Sequence, residues 1–125
     1  MNKKIKAGQV WYNENCGGEQ FIIIKPDYLG GTCIISYLDD NGEPIREDRI
    51  ARQDVKHCVY VDTYYTKEAD KVLDYLLLLD DSKLDDDDYR NCKINDVVYS
   101  IFESELSDVE IEIICTMVEE MWWEI

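Results

Sequence analysis

The segment Asp80-Asp81-Ser82-Lys83-Leu84-Asp85-Asp86-Asp87-Asp88 packs six carboxylates and one ammonium into nine residues. Like charges at this density repel one another, so the segment belongs on a solvated surface, at helix N-termini or opposite a basic group. It also marks a change in the chain. Residues 1–65 hold 8 basic and 10 acidic side chains, a net charge of −2, whereas residues 66–125 hold 5 and 18, a net of −13. A field so lopsided repels nucleic acid and anionic membrane, and it speeds association with basic surfaces.

The charge does not imply disorder, because 46% of the 125 residues are hydrophobic, an ordinary share for a folded domain. The five cysteines (Cys16, Cys33, Cys58, Cys92 and Cys115) form no CxxC pair, and His57 is the sole histidine. Zinc-ligand spacing is therefore absent, and no cofactor is expected. Cys33, Cys58 and Cys115 sit among apolar residues and read as small core fillers. No apolar run follows the basic N-terminus Met1-Asn2-Lys3-Lys4-Ile5-Lys6, so neither a signal peptide nor a membrane span is expected. A reducing, cytoplasmic setting is the expectation.

From Gly8 to Val61, short apolar runs alternate with turn residues. Gln9–Asn13, Gln20–Lys25, Thr32–Leu38, Pro44–Ile50 and His57–Val61 read as five strands, with Ala51–Val55 as a single helical turn. Asn41-Gly42, preceded by Asp39-Asp40, is a hairpin signal because Asn and Gly tolerate positive φ. Five short strands with a helical turn before the last predict a small, bent antiparallel β-barrel of the Src-homology type over residues 1–65. The opening Gly8-Gln9-Val10-Trp11, with Gly17-Gly18-Glu19-Gln20-Phe21-Ile22-Ile23-Ile24, resembles the PemK/MazF-like toxins across about the first 40 residues. The resemblance implies a small barrel. It also implies a ribonuclease whose catalytic or phosphate-clamping Arg stands in an Arg-Pro after the Gly-rich loop. Here Glu19-Gln20-Phe21 occupies that place, and Ser36 alone matches the family's strand hydroxyl. The expectation is a protein that is not an enzyme.

The second half reads as about three acidic helices packed on the barrel. Thr66–Leu79 carries an apolar stripe of Ala69, Val72, Leu73, Leu76 and Leu77, with Thr66 as its N-cap. Asp85–Asp88 opens a second helix whose stripe is Ile94, Val97, Val98, Ile101 and Phe102, although the β-branched density leaves a strand open for 97–102. Ser107-Asp108-Val109-Glu110 is a capping box that starts a third, with Ile113, Ile114, Met117, Val118, Met121 and Trp122 on one face. The whole predicts an α+β chain divided into 1–65 and 66–125.

Chemistry is sparse. The acidic segment lacks the glycine at the sixth position of a calcium loop, where counting from Asp85 gives Arg90. His57 and Cys58, read as neighbours on a strand, point to opposite faces and form no nucleophile pair. Arg46, Arg49 and Arg52, with Lys56, are the one basic cluster, a candidate phosphate or nucleotide site or else a set of solvated ion pairs. Trp122-Trp123 cannot both lie on one narrow stripe, which points to docking or self-association into a homodimer.

Acids interleaved with tyrosines can imitate a phosphate array and fill a basic groove. The expected partner surface comprises Asp80, Asp81, Asp85, Asp86, Asp87, Asp88 and Tyr89, then Glu103, Glu105, Asp108 and Glu112. The expected partner is a nucleic-acid-binding host protein, with no direct binding of nucleic acid or membrane. In size and charge the chain is similar to the small acidic inhibitors of phages, including anti-CRISPR and anti-restriction proteins.

Overall fold

The computed structural model describes residues 4–14, 17–79 and 81–124. They form two compact units, Met1–Tyr64 and Tyr65–Ile125. The fold is α+β, an antiparallel sheet of five strands and four α-helices.

In the first unit β1 (Gln9–Asn13), β2 (Glu19–Tyr28), β3 (Thr32–Leu38), β4 (Pro44–Ala51) and β5 (Val59–Thr63) lie in the order β4-β3-β2-β1-β5. The helical turn α1 (Arg52–Val55) precedes β5. Each strand pairs antiparallel with its neighbour, and no ladder joins β4 to β5 among the described residues. The sheet is thus open where the sequence predicts a closed barrel. The charged outer edge of β4 accounts for this, whereas the bend in β2 does not. β2 bends where Pro26 cannot donate to the ladder, and its register on β3 breaks between Ile23 and Lys25 and again between Lys25 and Tyr28. The free strand β4 exposes Arg46, Glu47, Asp48 and Arg49, a charged run of the kind that blunts an edge against further pairing.

Side-chain alternation places Trp11, Phe21, Ile23, Cys33 and Ile35 on one face, buried together with Ile5 and Val55. Tyr60 meets Trp11 edge-on, and Tyr37 meets Phe21 likewise, with ring centroids 5.7 and 6.3 Å apart. The Trp11 indole N–H donates to Gln9 Oε1, which also accepts from the Lys6 amide, while Gln9 Nε2 donates to the Lys4 carbonyl. The residues that carry the toxin-like opening therefore have a packing task. In the β3–β4 hairpin only Gly42 takes positive φ, and Asp39 Oδ1 accepts from the amides of Asn41 and Glu43. The acid before Asn-Gly builds the turn, and Asn41 needs no left-handed backbone. β5 begins two residues later than the sequence reading, so His57 and Cys58 lie in the turn after α1.

The second unit holds α2 (Thr66–Leu78), a 3₁₀ turn (Ser82–Asp85), α3 (Asp87–Phe102) and α4 (Asp108–Trp122). The 97–102 segment is helical. Thr66 does not cap α2. The cap residue is Tyr65, at φ 65°, without a side-chain capping bond. A left-handed tyrosine is strained, and a tertiary bond holds it: its hydroxyl donates to Glu110 Oε2 at 2.8 Å. Glu110 also accepts from the Ser107 amide through Oε1, completing the capping box of α4. One carboxylate thus fixes the starts of two helices.

On α4 Ile111, Ile113, Ile114, Cys115, Met117 and Val118 are buried. At 100° per residue they span an arc of roughly 200°, wide enough for more than one neighbour, and both α2 and α3 pack against α4. The predicted stripe of α2 holds at Ala69, Val72, Leu73 and Leu76, whereas Leu77 stays 47% exposed. No described helix is long and apolar enough to cross a membrane.

Candidate functional site

The acidic segment divides between architecture and surface. Asp81 caps the 3₁₀ turn, its Oδ1 accepting from the Lys83 amide at 3.0 Å, and its Oδ2 accepts from the Tyr89 hydroxyl at 2.8 Å. That bond and the Lys83 amide lower the Asp81 carboxyl below its ordinary range, and the same bond raises the Tyr89 phenol. Asp86 is the N-cap of α3, accepting from the Tyr89 amide at 2.9 Å. Asp87 Oδ1 accepts from Arg90 Nη2 at 2.8 Å. Asp85, Asp86, Asp87 and Asp88 are all exposed, as are Glu103, Glu105 and Asp108, whereas Glu112 is half-buried. Asp80 lies outside the described residues.

Arg90 enters the sequence reading only as the residue at the sixth position from Asp85, with no role. Its side chain is 3% exposed. Nη1 donates to the Leu84 carbonyl at 3.0 Å, and the guanidinium carbon lies 4.8 Å from the Trp123 ring centroid and 5.6 Å from that of Trp122. The two indoles predicted for self-association thus flank an internal cation. Trp123 nevertheless remains 68% exposed.

The arginine cluster does not converge. Arg46 pairs with Tyr37 across the β3–β4 ladder and Arg49 with Ile34, so alternation sends them to opposite faces of β4. Arg46 lies over the Tyr37 ring at 4.5 Å and Arg49 over Tyr28 at 4.8 Å. Arg52 opens α1 and approaches Asp27 at 3.6 Å. Three arginines with three separate aromatic or acidic neighbours make no single phosphate site.

His57 and Cys58 share one cavity after all. It measures about 410 Å³ and is lined by Asn13, Glu19, Phe21, Tyr37, Ile50, Asp54, His57 and Cys58. The Cys58 thiol donates to the Asp54 carbonyl at 3.4 Å and packs against the sheet core. The expectation of opposite faces fails because the pair precedes the strand. No three His, Cys, Asp or Glu side chains are grouped to hold a metal ion among the described residues. Cys33 and Cys115 are buried core residues as expected, and Cys92 is exposed. Burial, aided by Glu119 and Glu112, pushes the Cys115 thiol up to about 12.

Comparison with known proteins finds no matching family model, no matching curated protein and no matching solved structure.

Proposed function

We propose that the chain is a non-enzymatic binding protein whose helical unit presents carboxylates to a basic, nucleic-acid-binding groove on a partner protein and so blocks it. The observation that carries this reading is the charge left over once the internal bonds are counted. Residues 66–125 contain five basic side chains, and one of them, Arg90, is buried against Asp87. Asp85, Asp88, Glu103, Glu105 and Asp108 remain exposed. Asp86 and Asp87 are exposed as well, but both already make bonds within the fold. Asp81, Asp86 and Asp87 serve the fold first.

Steering by such a field is screened by salt, because exposed charges interact weakly beyond about 8 Å at physiological ionic strength. Inhibitors of the phage type, acting on host nucleases, share this physical design. In the first unit the long bent β2 and the helical turn before β5 support reading the open meander as a relative of the small Src-homology barrels.

The test is retention of a partner from lysate on the immobilised chain. A nucleic-acid-binding protein that is held at low salt, and released both by high salt and by added nucleic acid, supports the proposal. The variant Asp85→Asn/Asp88→Asn/Glu103→Gln/Glu105→Gln then loses that partner while its helix content is unchanged. Retention that ignores salt, nucleic acid and these four substitutions contradicts it.

A further inference from the structure

The cavity in the first unit belongs to a different chemistry from the acidic helices. Its floor is apolar, made by Phe21, Tyr37 and Ile50, and its rim carries the carboxylates of Glu19 and Asp54. Among the described residues that line it, none is Lys or Arg. A volume of about 410 Å³ suits one small molecule, since such sites run to about 300–1,000 Å³. Anions are disfavoured at two carboxylates whose nearby guanidinium, that of Arg46, already approaches Glu19. An apolar molecule satisfies the floor but gains nothing at the rim. A cation on a flat apolar body satisfies both.

At the edge of the cavity the chain already sets such a cation against two of the lining residues. Arg46 projects from β4 on the face shared with Tyr37, stacks on its ring at 4.5 Å and approaches Glu19 Oε2 at 3.9 Å. A planar cation therefore fits between a ring of the floor and a carboxylate of the rim. The hold is loose, because the two side chains are 64% and 56% exposed and the ion pair is long. Asp54 is exposed in α1, on the same rim, and pairs with no cation among the described residues.

We propose that this cavity binds a small organic cation, an amidine, guanidinium or amine on a flat apolar body. The body lies on Phe21, Tyr37 and Ile50, and the cationic head meets Glu19 and Asp54, displacing the Arg46 guanidinium from Tyr37. Asn13 and His57 supply further polar atoms to the lining. Arg46 is then a built-in competitor, and its removal has a sign that no anion site shares.

Benzamidine is the probe, titrated calorimetrically into the full chain, with benzamide as its neutral counterpart and benzoate as its anion. Benzamidine binds and the other two do not. Glu19→Gln and Asp54→Asn each weaken benzamidine binding roughly five- to tenfold, and Arg46→Ala strengthens it several-fold. Melting curves of the free variants, unchanged from wild type, show that the losses arise at the site. The proposal is overturned if benzamide or benzoate binds as tightly as benzamidine, or if Arg46→Ala weakens binding. It is equally overturned if benzamidine at millimolar concentration gives no heat with either wild type or Arg46→Ala.

Discussion

Arg46 in the sheet unit and Arg90 in the helical unit both stack on aromatic rings, 4.5 Å from Tyr37 and 4.8 Å from Trp123. Their side chains are 64% and 3% exposed. The exposed one makes a long ion pair with Glu19, the buried one a 2.8 Å pair with Asp87 and a bond to the Leu84 carbonyl. The contact type is the same and the consequences are opposite. A solvated guanidinium can leave its ring at little cost, so it marks a place where another cation can sit. A desolvated one cannot leave, because its charge and the carbonyl it satisfies would be stranded. In the acidic unit the buried Arg90 is thus what joins the 3₁₀ turn, the start of α3 and the end of α4.

The largest expected effect follows from that contrast. Arg90→Ala strands the Leu84 carbonyl, empties the space beside two indoles and costs about 3 kcal/mol, whereas Arg46→Ala changes stability by less than ~0.5 kcal/mol. Urea melts of the two variants measure both. Equal losses would erase the distinction between the units.

Inside the acidic segment the same contrast recurs on a smaller scale. Asp86 accepts the Tyr89 amide as an N-cap and Asp88 does not cap. Asp86→Ala is expected to lower stability by ~1 kcal/mol. Asp88→Ala, which loses only a charge near the positive end of α3, is expected to cost about 0.3–1 kcal/mol at low salt. Raising the salt shrinks the second loss and leaves most of the first.

The smallest effect is a pH dependence. The Asp81 carboxyl is lowered in the folded state, so its contribution is complete above about pH 4 and is lost as pH falls through the folded value. The Tyr89 phenol is raised, so its contribution holds below about pH 10 and is lost as pH rises through the folded value. Tyr89→Phe removes the bond, and the difference between its stability profile and that of wild type is expected to shrink at both extremes. A difference that stays constant from acid to alkali would show that the bond does not couple the two groups.

Much of this architecture was legible in the chain because it rests on local rules. Alternation bounds β1 and β3 as read, Asp39 ahead of Asn41-Gly42 marks the hairpin, and Ser107 with Glu110 marks the start of α4. What escaped depends on tertiary partners. Thr66 looks like a cap because nothing local reveals that Tyr65, tied to Glu110 across 45 residues, takes the cap position in a left-handed conformation. The role of Arg90 was not legible because its contacts include Leu84, Trp122 and Trp123, which only the fold brings beside it.

The separation of Arg46 from Arg49 was available in principle, since residues three apart on a strand face opposite ways. The cavity was not. It collects residues from β1, β2, β3, β4, α1 and the turn after it, and only the sheet order brings them together. Of the predicted partner surface, the sequence shows the charge but not which carboxylates the fold has already engaged.

Asp81, Asp86 and Asp87 make bonds that hold the fold, and Asp85 and Asp88, exposed like Asp86 and Asp87, are the carboxylates proposed to meet a basic partner. The most direct measurement takes the partner recovered by salt-sensitive retention and follows its affinity against salt concentration for wild type and Asp85→Asn/Asp88→Asn. The account predicts an unchanged or slightly changed melting temperature, weaker binding at low salt and a shallower slope of log affinity against log salt. An affinity and a slope identical to those of wild type would contradict it.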